Sequence, residues 1–330
     1  GTDILIPIGG AMIVLPIIYV VLENDLRRVL AYSLNSQLGY MVIGVGIGTE
    51  LALNGTAAHV FVHIMYKSLL FMCMGAVLFR TGTVKVTELG GLYKSMPVTT
   101  VFCLIGAVSI AAFPLTGGFV SKAMIQSAAL NGGLNIIWPV MLFACAGIMD
   151  HSGLKVPFFT FFSKDRGIRV QEAPVNMLIA MGIAAFFCIG IGVFPGLLFE
   201  LLPYAPTYNP YSFGHIVSAL QLLLFAVLAF MLLIRFKVYP SELRSTNLDF
   251  DWFYRVPLKR LILAIGRLIL IVWDWSLGIA NHVLRYFIGI VNETHSTGKV
   301  MARTTASSTA VVIIVALLGV VLVFLYQFTP

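Results

Sequence analysis

Seven apolar segments of roughly helix-spanning length follow one another at residues 4–22, 29–48, 56–79, 98–130, 135–162, 175–199 and 214–236. At 1.5 Å per residue each can cross about 30 Å of hydrocarbon as a helix. Inside hydrocarbon every backbone polar group must be satisfied by the chain itself, which leaves helices and closed barrels. The loops between the segments alternate in charge. Connections after the first, third, fifth and seventh segments carry Arg27 and Arg28; Arg80, Lys85 and Lys94; Lys164, Arg166 and Arg169; and Arg235, Lys237 and Arg244. The alternate connections, TELALNG, NGGLN and ELLPYAPTYNPYS, carry neither Lys nor Arg. One missed span would scramble that alternation, so it supports the segment count. By the positive-inside rule the basic loops lie in the cytoplasm and both ends of the chain lie outside.

Composition agrees, since a chain that is 59% hydrophobic and 11% charged has too little polar surface to cover a soluble core. The net charge of +7 is spread between spans and not clustered, so nucleic acid is not an expected partner. Cys73, Cys103, Cys145 and Cys188 each stand alone in a different apolar segment, which suits buried small hydrophobes and supports neither a disulfide framework nor a zinc or iron–sulfur site. The chain begins GTDILIPIGG, with no signal peptide to be read, and a preceding part of the gene product is expected.

Within the third segment, HVFVHIMYKSLLF places His59, His63 and Lys67 four residues apart, a stripe on one helix face. Ionisable side chains at membrane depth cost about 2.5–3.5 kcal/mol each on insertion scales and persist mainly in bundle interiors, wet cavities and relays. The fourth segment is interrupted by AAFPLTGGFVSK. Pro114 removes a backbone donor and clashes with the preceding turn, so a broken helix is expected, with Lys122 just beyond the break. A plain proline kink is the alternative. Non-helical backbone at membrane depth is tolerated where it lines a cavity, and transporters place ion sites there.

The fifth segment carries Asp150, His151 and Lys155, with Pro157 expected to bend its end. Two readings compete, a secondary proton-exchanging cluster or a charged collar whose lysine snorkels. After Lys237 the chain turns polar and aromatic, and Arg260, Arg267, Asp274, Asn281 or His282, and Arg285 then recur at near-heptad intervals through an apolar helix. That stripe describes an amphipathic lateral helix with its polar face toward water or partner subunits, a transmembrane helix being the alternative. The linker ETHSTGKVMARTTASS, with Lys299 and Arg303 as a basic flank, leads into a last apolar span.

Other chemistries find little support. No strand–Gly-rich–Lys pattern cradles a phosphate, nothing groups Ser, His and Asp into a hydrolase, and HVFVH lacks the Glu of a zinc helix. Haem ligation is disfavoured because both histidines lie on one helix in register with Lys67. Imidazole titrates near neutrality and a buried Lys can release its proton at accessible pH, so proton traffic through His59, His63, Lys67 and Lys122 is the expectation. The alternative, polar residues that merely glue helices, suits one such residue better than four.

At ENDLRRVLAYSLNSQLGYM, HVFVHIMYKSLLF and FPLTGGFVSK the sequence resembles the antiporter-like subunits shared by Mrp-type cation/proton antiporters, respiratory complex I and membrane-bound hydrogenases, most closely the D-type subunit of the Mrp antiporters. The resemblance runs from residue 1 to about 130 and less closely to 236. It implies inverted five-helix repeats, each with a broken helix, and a central line of Lys, His and Glu. On that pattern His59, His63 and Lys67 match the central residues of the second repeat and Lys122 its terminal lysine. The first repeat has no counterpart, so the chain resembles the C-terminal half of such a subunit. Asp150, His151 and Lys155 lie outside the family pattern, and the segment after residue 250 is similar in character to the lateral helix of the largest complex I antiporter-like subunit.

The expectation is therefore an all-α polytopic membrane protein with about eight transmembrane helices, one of them broken, plus a long amphipathic lateral helix. Residues 1–174 form the second repeat, 175–237 two further spans, 238–298 the lateral segment and 299–330 a final span. Proton or sodium/proton translocation in the cytoplasmic (inner) membrane is the expected function. Expected partners are the N-terminal half or a separate chain, other membrane subunits of an antiporter or redox complex, lipid, protons and Na+. No cofactor is expected. A non-transporting scaffold, held to its neighbours by the lateral helix, is the competing class, and a quinone-binding redox subunit a third.

Overall fold

The computed structural model describes residues 2–205, 208–239, 251–296 and 307–328. Arg244, the rest of 240–250, and the linker residues 297–306 with Lys299 and Arg303 lie outside the described residues. The described chain is helical and forms two compact units, residues 1–247 and 248–330. Seven helices among the described residues are long and apolar enough to cross a membrane.

In the first unit, α1 (Leu5–Leu22) leads through a tight turn to α2 (Leu26–Ile47). Asp25 starts α2 by accepting hydrogen bonds from the backbone N–H of Arg27 and Arg28, and Gly48 ends it with φ +69°. Thr49 caps the next helix at once, so α3 (Glu50–Thr81) absorbs most of TELALNG, a stretch the sequence reads as a loop. Glu50 in its first turn and Arg80 in its last complement the helix dipole. Next come α4 (Pro97–Ile110) and α5 (Gly117–Asn131), the halves of the broken fourth segment. Glu172 closes the start of α4, its carboxylate accepting from the N–H groups of Val98 and Thr99 and the Thr99 hydroxyl.

The fifth segment forms α6 (Ile137–Phe162), whose second half departs from α-geometry. Met149–Lys155 and Phe158–Phe162 are π-helical on either side of Pro157. The bend expected at Pro157 thus takes the form of widened turns, a known response to a missing backbone donor. Pro195 likewise splits the sixth segment into α7 (Val175–Val193) and α8 (Pro195–Phe199), followed by α9 (Phe213–Arg235). α3 is central, packing against α2, α4, α5 and α7, while α6 lies against α1, α4 and α9. Ile64, Phe79, Val101 and Phe186 point outward, as they should where lipid is the solvent.

The basic connections gather at one end of this unit. The backbones of Asp25 and Lys85 form an isolated antiparallel β-bridge, Lys94 meets Asp165, and the Arg80 guanidinium donates to the carbonyl of Glu172. At the other end Asn54 exchanges hydrogen bonds with the backbone of Tyr204. The alternation of charge along the sequence therefore corresponds to two physical ends.

The second unit contains α10 (Asp251–His295), which opens with a π-helical turn around Pro257, and α11 (Ser307–Phe328). Arg260, Arg267, Asp274 and Arg285 all fall within α10, whose large hydrophobics are exposed.

Candidate functional site

The break sets the geometry. Ala112 and Leu115 take positive φ values of 62° and 69°, so the chain leaves helical geometry on both sides of Pro114 before α5 begins. The two halves nevertheless stay in contact. A β-carbon on Gly118 would collide with the carbonyl oxygen of Ser109, and one on Gly192 of α7 with that of Leu115. Bare backbone at both positions lets α5 tuck under α4 and α7 close over the break.

Lys122, one turn into α5, is 1% exposed, and its Nζ donates to the carbonyl oxygen of Ile110 at 2.6 Å. Ile110 is the last residue of α4, where carbonyls have lost their helical partners. The same ammonium lies 5.6 Å from the centre of the Tyr40 ring. Beside it opens a cavity of about 510 Å³ between α5, α6 and α9, lined by Lys122, Gln126, Ser127, Trp138, His215 and Ser218 among others.

The stripe on α3 is buried as the spacing predicts. His59 is held from both sides, with Nδ1 2.9 Å from the Ser121 hydroxyl and Nε2 3.2 Å from Oε1 of Gln37. Tyr66 donates to that same Gln37 oxygen at 2.9 Å. The rings of His59 and His63 are 6.1 Å apart and those of His63 and Tyr66 5.4 Å. Lys67 donates to the hydroxyl of Ser33 at 2.8 Å. His59 thus joins α3 to α5 next to Lys122, and Lys67 joins α3 to α2.

The second cluster splits. His151 touches Ser152, whose hydroxyl donates to the Ser33 oxygen that Lys67 also uses. Lys155 instead reaches the end of α1 and donates to the carbonyls of Val20, Val21 and Glu23 at 3.3, 2.9 and 2.9 Å. Asp150 is half-buried on the neighbouring turn.

Residues 2–150 match the sequence profile described as NADH:quinone oxidoreductase/Mrp antiporter, transmembrane. Over that segment, a little under half of the chain, the sequence is similar to this family. Over 185 residues the chain is 36% identical to F(420)H(2) dehydrogenase subunit L of Methanosarcina mazei, covering 52% of this chain and 28% of that protein. It is 33% identical over 189 residues to a Na(+)/H(+) antiporter subunit, of the D type, from Alkalihalophilus pseudofirmus, covering 54% of this chain and 38% of that one. The chain thus spans well under half the length of these curated relatives. The solved Mrp complex from Dietzia shows the same fold at TM-score 0.63 and 19% identity, over 98% of this chain and 34% of its match.

Several residues of this site carry no singled-out role in the sequence reading. Ser33 and Gln37 on α2 hydrogen-bond to Lys67 and His59, the Tyr40 ring of the same helix lies against Lys122, Tyr66 on α3 donates to Gln37, Ser121 on α5 meets His59, and Ser152 on α6 joins His151 to Ser33. A signal for the three on α2 was present, because Ser33, Gln37 and Tyr40 recur at helical spacing through an otherwise apolar span.

Proposed function

We propose that this chain translocates protons, or protons in exchange for sodium, through a relay of His59, His63, Lys67 and Lys122, as part of a multisubunit membrane complex. The observation that carries the reading is the placement of Lys122. It stands at a helix break, on a freed carbonyl, between a buried row of titratable side chains and a cavity. A lysine that only tied two helix halves together would need neither the row nor the cavity.

The chemistry follows from the parts. Nε2 of His63 and Nε2 of Gln37 are buried without a hydrogen-bond partner among the described residues. Buried polar atoms are ordinarily satisfied, and water is the usual partner in polar interiors. Water at those atoms would link His59, His63 and Lys67 into one path. No carboxylate is hydrogen-bonded to the two lysines among the described residues, so their charge responds to charges on neighbouring elements. At an effective dielectric near 20, a unit charge about 10 Å away is worth roughly 1.7 kcal/mol, more than tenfold in proton occupancy. A partner subunit that moves a carboxylate toward or away from Lys67 can therefore load and unload it.

The cavity runs from Lys122 toward Leu130, Trp138 and Gly214, which adjoin the described connections 131–136 and 208–212, both lacking Lys and Arg. It would serve as the vestibule on the outer face. That face follows from the positive-inside rule, which places the basic loops in the cytoplasm.

Proton movement into sealed vesicles containing the whole complex tests the reading. Lys67→Ala should abolish it while the complex still assembles. Unchanged movement in that variant would favour the scaffold.

A further inference from the structure

We propose that His151 is a proton-exchange site coupled to Lys67 through the hydroxyls of Ser152 and Ser33, a lateral arm of the relay entering from the π-helical part of α6. The inference rests on the relay reading above and adds a branch to it.

Three hydrogen bonds of 2.8 Å each join these groups without a gap: the Lys67 ammonium and the Ser152 hydroxyl both donate to Ser33 Oγ, and His151 Nδ1 meets Ser152 Oγ. They cross three helices, α3, α2 and α6, and every side chain in the series is buried. Hydroxyls that merely join helices usually satisfy themselves on the backbone of the preceding turn, as Thr160 does on Val156. Here both hydroxyls bond to one another between two titratable groups. The far end is open, since Nε2 of His151 is buried and has no hydrogen-bond partner among the described residues. An imidazole with one nitrogen on a hydroxyl chain and the other unpaired is arranged to take a proton at one side and give it up at the other.

The π-helical turn accounts for the placement. A π-turn holds more residues than an α-turn, so neighbours in sequence are separated by a smaller angle around the axis. His151 and Ser152, adjacent in sequence, therefore both sit on the buried face. Lys155 fixes that turn, because it gives its hydrogen bonds to the last carbonyls of α1, where a cation is also favoured by the helix dipole. Lys155 is thus a positioning residue, and the exchanging member of the cluster is His151.

One proton moves per event and the balance closes. When Lys67 is an uncharged amine it takes the proton of the Ser33 hydroxyl. Ser33 takes that of Ser152, Ser152 takes the Nδ1 proton of His151, and His151 is reprotonated at Nε2. Rotation of the two hydroxyls resets the chain, and the reverse sequence discharges Lys67. The only species exchanged at Nε2 is a proton carried by water.

The test uses the whole reconstituted complex, measuring proton movement and subunit assembly together. Ser152→Ala and His151→Gln should each slow proton movement on the order of a hundredfold, the low end of what a positioned proton-transfer group contributes. Ser152→Thr, which keeps a hydroxyl, should restore it. Lys122→Met serves as the control for the relay itself. Loss in Lys122→Met with parental rates in Ser152→Ala and His151→Gln would overturn the arm and leave the relay standing. Parental rates in Lys122→Met would overturn the relay reading. Equal loss in Ser152→Ala and Ser152→Thr would assign Ser152 to packing and also overturn the arm.

Discussion

Lys122 Nζ and the carbonyl oxygen of Ile110 are 2.6 Å apart, so a side chain from the second half of the broken helix closes the end of the first. The bond satisfies an acceptor that the break leaves unpaired and places a cation at the negative end of α4. Structure and charge chemistry therefore meet in one group. Replacement of Lys122 by Met should leave the Ile110 carbonyl buried and unpaired, at a cost of about 1–3 kcal/mol. Thermal unfolding of the detergent-solubilised complex should show a lowered midpoint with assembly retained, and an unchanged midpoint would mean that the bond contributes nothing to stability.

The closeness of backbone around the break makes a second expectation. A methyl group on Gly118 or Gly192 would overlap a carbonyl oxygen of the facing segment, and backbone cannot give way as a flexible side chain can. Gly118→Ala and Gly192→Ala should each destabilise by about 1–3 kcal/mol, the range for overpacking. Gly190→Ala on the same helix as Gly192, with nothing within 4 Å of its β-carbon, should be nearly neutral. Equal effects at Gly190 and Gly192 would refute the close approach.

Asp165 ties two connections on the basic end. It pairs with Arg169 at 2.7 Å and Lys94 at 2.9 Å, and accepts from the N–H of Gly167. The bonds from Arg169 and then Lys94 and Gly167 hold its carboxyl well below the usual carboxylate range. A folded-state value below the unfolded one means that the stabilisation is complete above the unfolded pKa of about 4 and is lost as pH falls toward the folded value. Asp165→Asn should thus lower the thermal midpoint by a small amount at neutral pH, small because the pair is exposed, with the gap to the parent shrinking below about pH 4. A gap that widens in acid would contradict the assignment.

Sidedness can be read by labelling. The exposed positions Glu50 and Lys85 lie at opposite ends of α3 and its following loop, and the four native cysteines are buried. Lys85→Cys should react with impermeant thiol reagents only from the cytoplasmic face, and Glu50→Cys only from the outer face. Reaction of both from one side would overturn the topology.

How much of this was legible in the sequence differs between levels. Segment positions, the stripe on α3 and the break before Lys122 follow from hydropathy, four-residue spacing and Pro114, because those are local properties of the chain. The helical start of TELALNG was hidden by its polar composition, although Gly48 and Thr49 are stop and start signals in themselves. The partners of the stripe were not legible. Ser33 meets Ser152 across 119 positions of sequence, and no local pattern encodes which two helices pack face to face. The widening of α6 into π-turns is likewise a tertiary outcome, since Pro157 announces a bend without specifying its form.

The most direct measurement of the central claim is proton movement driven through the reconstituted complex carrying Lys122→Met and, separately, Lys122→Arg. Met keeps about the length of the apolar stem without the titrating group, and Arg keeps the charge without releasing it at accessible pH. Assembled complexes that fail to translocate with either residue are the predicted result. Translocation at the parental rate by assembled Lys122→Met complexes would contradict the relay.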